Sequence, residues 1–95
     1  MRKRVEELNK TYKGKTISLE NLELLIQRYF YPIKLENDDR SNLSENFYWN
    51  FPKNRDEEYI YSIDVKYHAV NDLNIVIDNI TLIRRSELFA GIKFW

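Results

Sequence analysis

His68 is the only imidazole in this sequence, and there is no cysteine to supply a thiolate. In the alternating segment 59–70, YIYSIDVKYHAV, it falls on the polar face with Lys66 and Val70 two residues away and Asp64 further along the same face. A solvated surface histidine is the expected reading, and a lone general base or metal ligand is the alternative. Fifteen carboxylates make chance pairs unavoidable, and neither Asp38-Asp39 nor Asp56-Glu57-Glu58 has the glycine-containing pattern of a calcium loop. Both read as loop charge, with an acidic surface for a basic partner as the alternative. Glycine occurs only at positions 14 and 91, so there is no glycine-rich phosphate loop, and no G-x-S-x-G motif is present. No catalytic, cofactor-binding or metal-binding residue is expected, and the chain is not expected to be an enzyme.

The absence of cysteine also removes disulfide frameworks and thiolate metal sites, which fits a reducing cytoplasm. No stretch approaches the apolar length of a membrane span, and MRKRVEELNKTYKGK lacks the apolar run of a secretory signal, so a soluble cytoplasmic protein is expected. Formal net charge is zero, but residues 1–15 hold six Lys/Arg against two Glu. A basic N-terminal arm or helix therefore precedes a mildly acidic body. Arg2, Lys3 and Arg4, together with Arg84 and Arg85, are the candidate nucleic-acid contacts, although Glu6 and Glu7 interrupt the first cluster and no recognised nucleic-acid-binding motif accompanies it.

The elements that position these residues follow from periodicity. Val5, Leu8 and Tyr12 at helical spacing before Gly14 predict a short amphipathic helix within residues 1–15. Residues 16–31 predict the main helix, capped by Thr16 or Ser18, with Leu19, Leu22, Leu25, Ile26 and Tyr29 in one stripe and Pro32 as its stop. Residues 33–45 read as a polar surface loop, and residues 46–95 as an antiparallel sheet within a single domain.

In that sheet, NFYWNF puts Phe47, Trp49 and Phe51 on one face, and residues 59–70 add Tyr59, Tyr61, Ile63, Val65, Tyr67 and Ala69. The three tyrosines read as core residues with hydroxyls at the rim, against a base-stacking platform as the alternative. Register can be tested by requiring apolar residues to face each other. A three-residue loop at 70–72 pairs Ala69 with Leu73, Tyr67 with Ile75 and Val65 with Ile77. A bulge at Asp78-Asn79 then pairs Ile63 with Ile80 and Tyr61 with Leu82. The rival reading makes Asp78-Asn79 a true turn. A further turn near Arg84-Arg85-Ser86 leads to a last strand in ELFAGIKFW. The expected fold is α+β, with one or two N-terminal helices packed on a four-stranded antiparallel β-meander.

The second face of that sheet carries Tyr48, Ile60, Val76, Ile83, Phe89 and Trp95, more large apolar groups than a purely solvated face needs. Either the first helix covers them or another protein chain does. On the second reading Tyr48, Ile60, Ile83, Phe89 and Trp95 are partner-binding residues, and the first and last strands are edges available for pairing. The functional expectation is a small non-enzymatic interaction module that occupies a surface of a target protein. Size and an Asn-, Lys-, Ile- and Tyr-rich composition suit a bacterial or phage-encoded inhibitor, immunity or anti-defence factor. The alternatives are a nucleic-acid-binding accessory factor using the basic N-terminus, or a self-associating subunit that forms a homodimer through an edge strand or the second face.

Overall fold

The computed structural model describes residues 2–38, 46–53, 56 and 58–86. Their elements, in chain order, are α1 (Arg2–Tyr12), β1 (Thr16–Ser18), α2 (Leu19–Tyr29), β2 (Glu36–Asp38), β3 (Asn46–Asn50), β4 (Tyr59–Ala69) and β5 (Asn74–Ser86). The strands form one antiparallel sheet in the order β1-β5-β4-β3-β2. Strands β2 to β5 are a meander, and β1 closes one side of it next to β5. The fold is α+β, with two helices and five described strands.

Two of these strands differ from the sequence expectation. Thr16–Ser18 is strand where the start of the main helix is expected, and Glu36–Asp38 is strand inside the expected loop. Both are three residues long and gain their hydrogen bonds from a neighbouring strand, Asn74–Val76 for β1 and Tyr48–Asn50 for β2. Segments this short carry no periodicity that distinguishes them from loop. Because β2 and β1 lie outside β3 and β5, the strand containing NFYWNF is interior over its paired length and is not the sheet edge. The expected last strand in ELFAGIKFW falls outside the described residues.

Local chemistry explains the joints. Val5 and Leu8 bury the inner side of α1, and Gly14, at φ +83°, turns the chain out of the helix in a conformation side chains disfavour. The Gly14 N–H then donates to Ile77 O at 2.7 Å, and Ile77 N–H donates to Lys15 O at 3.1 Å, so strand pairing begins at once. Ser18 ends β1 with extended backbone, and its Oγ accepts from Asn21 N–H at 3.1 Å as the N-cap of α2. Strand passes into helix without a loop.

Both helices lie on one side of the sheet. Val5, Leu8, Leu22, Ile26, Phe30 and Leu35 pack with Trp49, Ile63, Val65, Ile75, Ile77 and Ile80 in a single cluster. Burying each such side chain contributes roughly 1.5–3 kcal/mol, so this layer dominates stability. The first helix therefore adds to the main core and does not cover the second face. Gln27 ties the chain after α2 to the helix, with Nε2 donating to Leu35 O at 2.7 Å and Oε1 accepting from Leu35 N–H at 3.2 Å.

The β4–β5 register pairs Ala69 with Ile75, Tyr67 with Ile77, Val65 with Ile80, Ile63 with Leu82 and Tyr61 with Arg84. It breaks between Lys66 and Tyr67, leaving Asp78 as the extra residue, so the irregularity sits where the sequence places its bulge. The rival turn at Asp78-Asn79 and the turn at Arg84-Arg85-Ser86 are both overturned, because β5 runs unbroken from Asn74 to Ser86. The partners of Ala69, Tyr67, Ile63 and Tyr61 lie two residues further along β5 than expected and that of Val65 three, because the extra residue falls between the partners of Tyr67 and Val65, and every side chain keeps its face. Asn71 explains the shift. Its Oδ1 accepts from the N–H groups of Leu73 and Asn74, each at 2.9 Å, making a loop of residues 70–73 that leaves Leu73 72% exposed.

The tyrosine row is rim, not deep core. Ile63 and Val65 are fully buried, while Tyr61 is 40% exposed and Tyr59 and Tyr67 are half-buried. Tyr67 stacks on Phe47 with ring centroids 4.4 Å apart, and Tyr59 lies beneath the Arg84 guanidinium. The helices cover the middle of β4 and leave its ends to aromatic contacts.

Candidate interaction surface

Alternation along β3, β4 and β5 puts Asn46, Tyr48 and Asn50, then Ile60, Ser62 and Asp64, then Thr81, Ile83 and Arg85 on the sheet face away from both helices. Tyr48 is opposite Asp64, and Arg85 is opposite Ile60. The line joining Tyr48 to Arg85 consequently crosses β4 diagonally at Ser62. The Arg85 guanidinium lies 4.8 Å from the centre of the Tyr48 ring, so this long side chain spans β4 to make a cation–π contact. Ser62 beneath it is fully buried, with Oγ 2.5 Å from Asn50 Oδ1.

Next to this strap, Asp64 accepts from Asn46 Nδ2 at 2.7 Å. Burial pushes its carboxyl above the ordinary carboxylate value, against the opposing effects of the Asn46 hydrogen bond and the positive charges of Lys66 and Arg85. Ile60 and Ile83 flank the strap and are half-buried, as are Tyr48 and Arg85. Three of the expected partner-binding residues, Tyr48, Ile60 and Ile83, thus share one patch. Phe89 and Trp95 lie outside the described residues.

The five candidate nucleic-acid contacts do not gather. Arg2 and Lys3 are exposed on α1. Arg4 joins the helices, donating to Tyr29 O with its guanidinium over the Tyr29 and Phe30 rings, while Tyr29 OH donates back to Arg4 O at 2.9 Å. Arg84 projects on the helix side over Tyr59 at 4.5 Å, and Arg85 projects on the opposite side. Adjacent residues of a strand must diverge in this way.

His68 has a carboxylate partner that the sequence reading missed. Its Nδ1 is 2.7 Å from Asp78 Oδ1, at the bulge. Spacing along one strand could not show it, because the extra residue in β5 sets the pairing. Among the described residues, no group of three or more His, Cys, Asp or Glu is placed to hold a metal ion. None of the described helices is long and apolar enough to cross a membrane.

On the helix side, a groove of about 370 Å³ runs beside α2, lined by Leu19, Leu22, Glu23, Asn37, Phe47 and Trp49. Glu23 accepts from Trp49 Nε1 and, at 3.1 Å, from Gln27 Nε2, so its carboxylate has internal donors. That arrangement fixes the indole. No protein-family model, curated protein or solved structure matches this chain.

Proposed function

We propose that this α+β domain is a non-enzymatic protein-binding module that docks a target protein on the sheet face opposite its helices. The observation that supports the reading is the Arg85–Tyr48 strap across β4, flanked by Ile60 and Ile83 on a face that neither helix covers. Tyrosine and arginine are enriched among residues that dominate binding energy, and half-buried isoleucines beside them supply apolar area at little further ordering cost. Internal use of Arg4 weighs against a phosphate-binding arm built from Arg2, Lys3 and Arg4 together. The role in keeping with this size and composition is that of a cytoplasmic inhibitor, immunity or anti-defence factor of bacterial or phage origin, acting by occupying its target's surface.

The test is affinity capture from the source cells with the native protein and with Tyr48→Ala and Ile83→Asp variants whose folding is verified by circular dichroism. The expected result is a protein retained by the native chain and lost from both variants. A target retained equally by all three, or a nucleic acid retained in its place, overturns the reading.

A further inference from the structure

Helix α2 buries Leu22 and Ile26 on the sheet and turns its opposite side to solvent. On that side Glu20, Leu24 and Arg28 follow one another at intervals of four residues, the spacing that stacks side chains into one ridge. All three are exposed, Leu24 by 45%. Glu20 and Arg28 stand two turns apart, too far to pair with each other. Among the described residues, neither the Glu20 carboxylate nor the Arg28 guanidinium has a hydrogen-bond, ion-pair or ring partner. Their places in the first and last turns complement the helix dipole. The dipole gives no reason for a large apolar side chain between them.

Beside the ridge, between α1, β1 and α2, runs a groove of about 460 Å³ lined by Tyr12, Ile17, Leu24, Leu25 and Tyr29, with Arg28 as the only charged residue in that lining among those described. Tyr12, Ile17, Leu25 and Tyr29 pack against the edge of the core and are half-buried. All of the lining comes from residues 12–29, a stretch described without a break. The ridge next to it is self-complementary in one orientation. Leu24 stands midway, about 6 Å along the helix from each charged residue. A second α2 laid antiparallel, Leu24 against Leu24, brings Glu20 to the second copy's Arg28 and Arg28 to the second copy's Glu20. Parallel alignment sets like charges together. A two-fold interface requires this reciprocity, in which residue i meets j while j meets i.

We infer that the solvent side of α2 is a docking site for a second copy of this chain, the two helices packing antiparallel about a two-fold axis at Leu24. Their four-residue ridges interdigitate, each Leu24 enters the groove of the other copy, and two Glu20–Arg28 pairs flank the apolar centre. Both sheets then lie on the outside of the dimer. The face carrying Tyr48 and Arg85 stays open, so dimerisation goes beyond the target-docking reading and does not compete with it. A contact centred on one helix from each copy is small, which places the dimer among weak, concentration-dependent associations.

Analytical ultracentrifugation of the full chain from about 1 μM to about 1 mM tests it. The native protein should pass from monomer toward dimer across that range. Arg28→Glu and Glu20→Arg each set like charges against one another at both ends of the contact, and each should weaken the dimer about tenfold. The combined Glu20→Arg/Arg28→Glu variant restores opposite charges and should return to within about threefold of the native dissociation constant. Leu24→Asp should stay monomeric throughout. All three positions are exposed, so every variant should keep the native circular dichroism spectrum. A native chain that is monomeric at about 1 mM, a dimer indifferent to both single reversals, or a folded charge swap that fails to recover the dimer each refutes the proposal. Self-association lost with Ile83→Asp and kept with Leu24→Asp assigns the contact to the outer sheet face. A chain that is always monomeric but loses a captured target protein with Leu24→Asp assigns the ridge to that target. Either result overturns the α2 dimer.

Discussion

The guanidinium of Arg85 reaches across an entire strand to lie 4.8 Å from the Tyr48 ring, and the serine beneath that span, Ser62, is fully buried. A double-mutant cycle with Tyr48→Ala and Arg85→Ala measures the contact. The expected coupling in urea denaturation is about 0.5–1 kcal/mol, the range for a cation–π pair at the surface. A coupling of zero removes the strap as an energetic unit and leaves only its geometry.

Asp64 makes stability depend on pH in an unusual sense for a carboxylate. Burial raises its pKa in the folded protein above the ordinary aspartate value of 3.8, so the folded state holds the proton more tightly than the unfolded state. Its contribution is most favourable below that value and is lost as pH rises through the folded pKa. Asp64→Asn, which retains an oxygen to accept from Asn46, should therefore be more stable than the native protein at neutral pH. The difference should shrink as the solution is acidified toward the unfolded pKa. A difference that grows on acidification contradicts the assigned direction.

Gln27 is expected to be worth more than a solvent-facing helix position. Gln27→Ala leaves both backbone groups of buried Leu35 without their partner and takes a donor from Glu23. The loss should be about 1–3 kcal/mol, the cost of stranding buried polar groups. Chemical denaturation of the variant checks it, with a change below the lower figure showing that solvent replaces the amide.

The β4–β5 register predicts opposite outcomes for two leucine-sized positions that the sequence treats alike. Leu73→Asn, in the exposed loop, should alter stability by no more than about 0.5 kcal/mol. Ile77→Ala, fully buried opposite Tyr67, should cost about 2–5 kcal/mol. Thermal unfolding of both variants decides between this register and one that buries Leu73.

The sequence alone determined which residues share a face. A period of two in residues 59–69 and of about 3.6 in α1 and α2 comes from covalent backbone geometry, so Ile63, Val65, Leu22 and Ile26 could be grouped, and Tyr48, Ile60 and Ile83 set apart, without coordinates. A register shift of two residues leaves those groupings intact, which is why the patch was legible although its cross-strand partners were not. Only the tertiary structure decided what meets across strands and layers. The side chain of Asn71 set the loop, the bulge at Asp78 brought a carboxylate to His68, and the Arg4–Tyr29 clamp drew one cation out of the basic cluster. Both helices chose the same side of the sheet because Val5 and Leu8 complete a core with Ile77 and Ile80. Such contacts join residues far apart in the chain, and their energies depend on distances that no local spacing encodes.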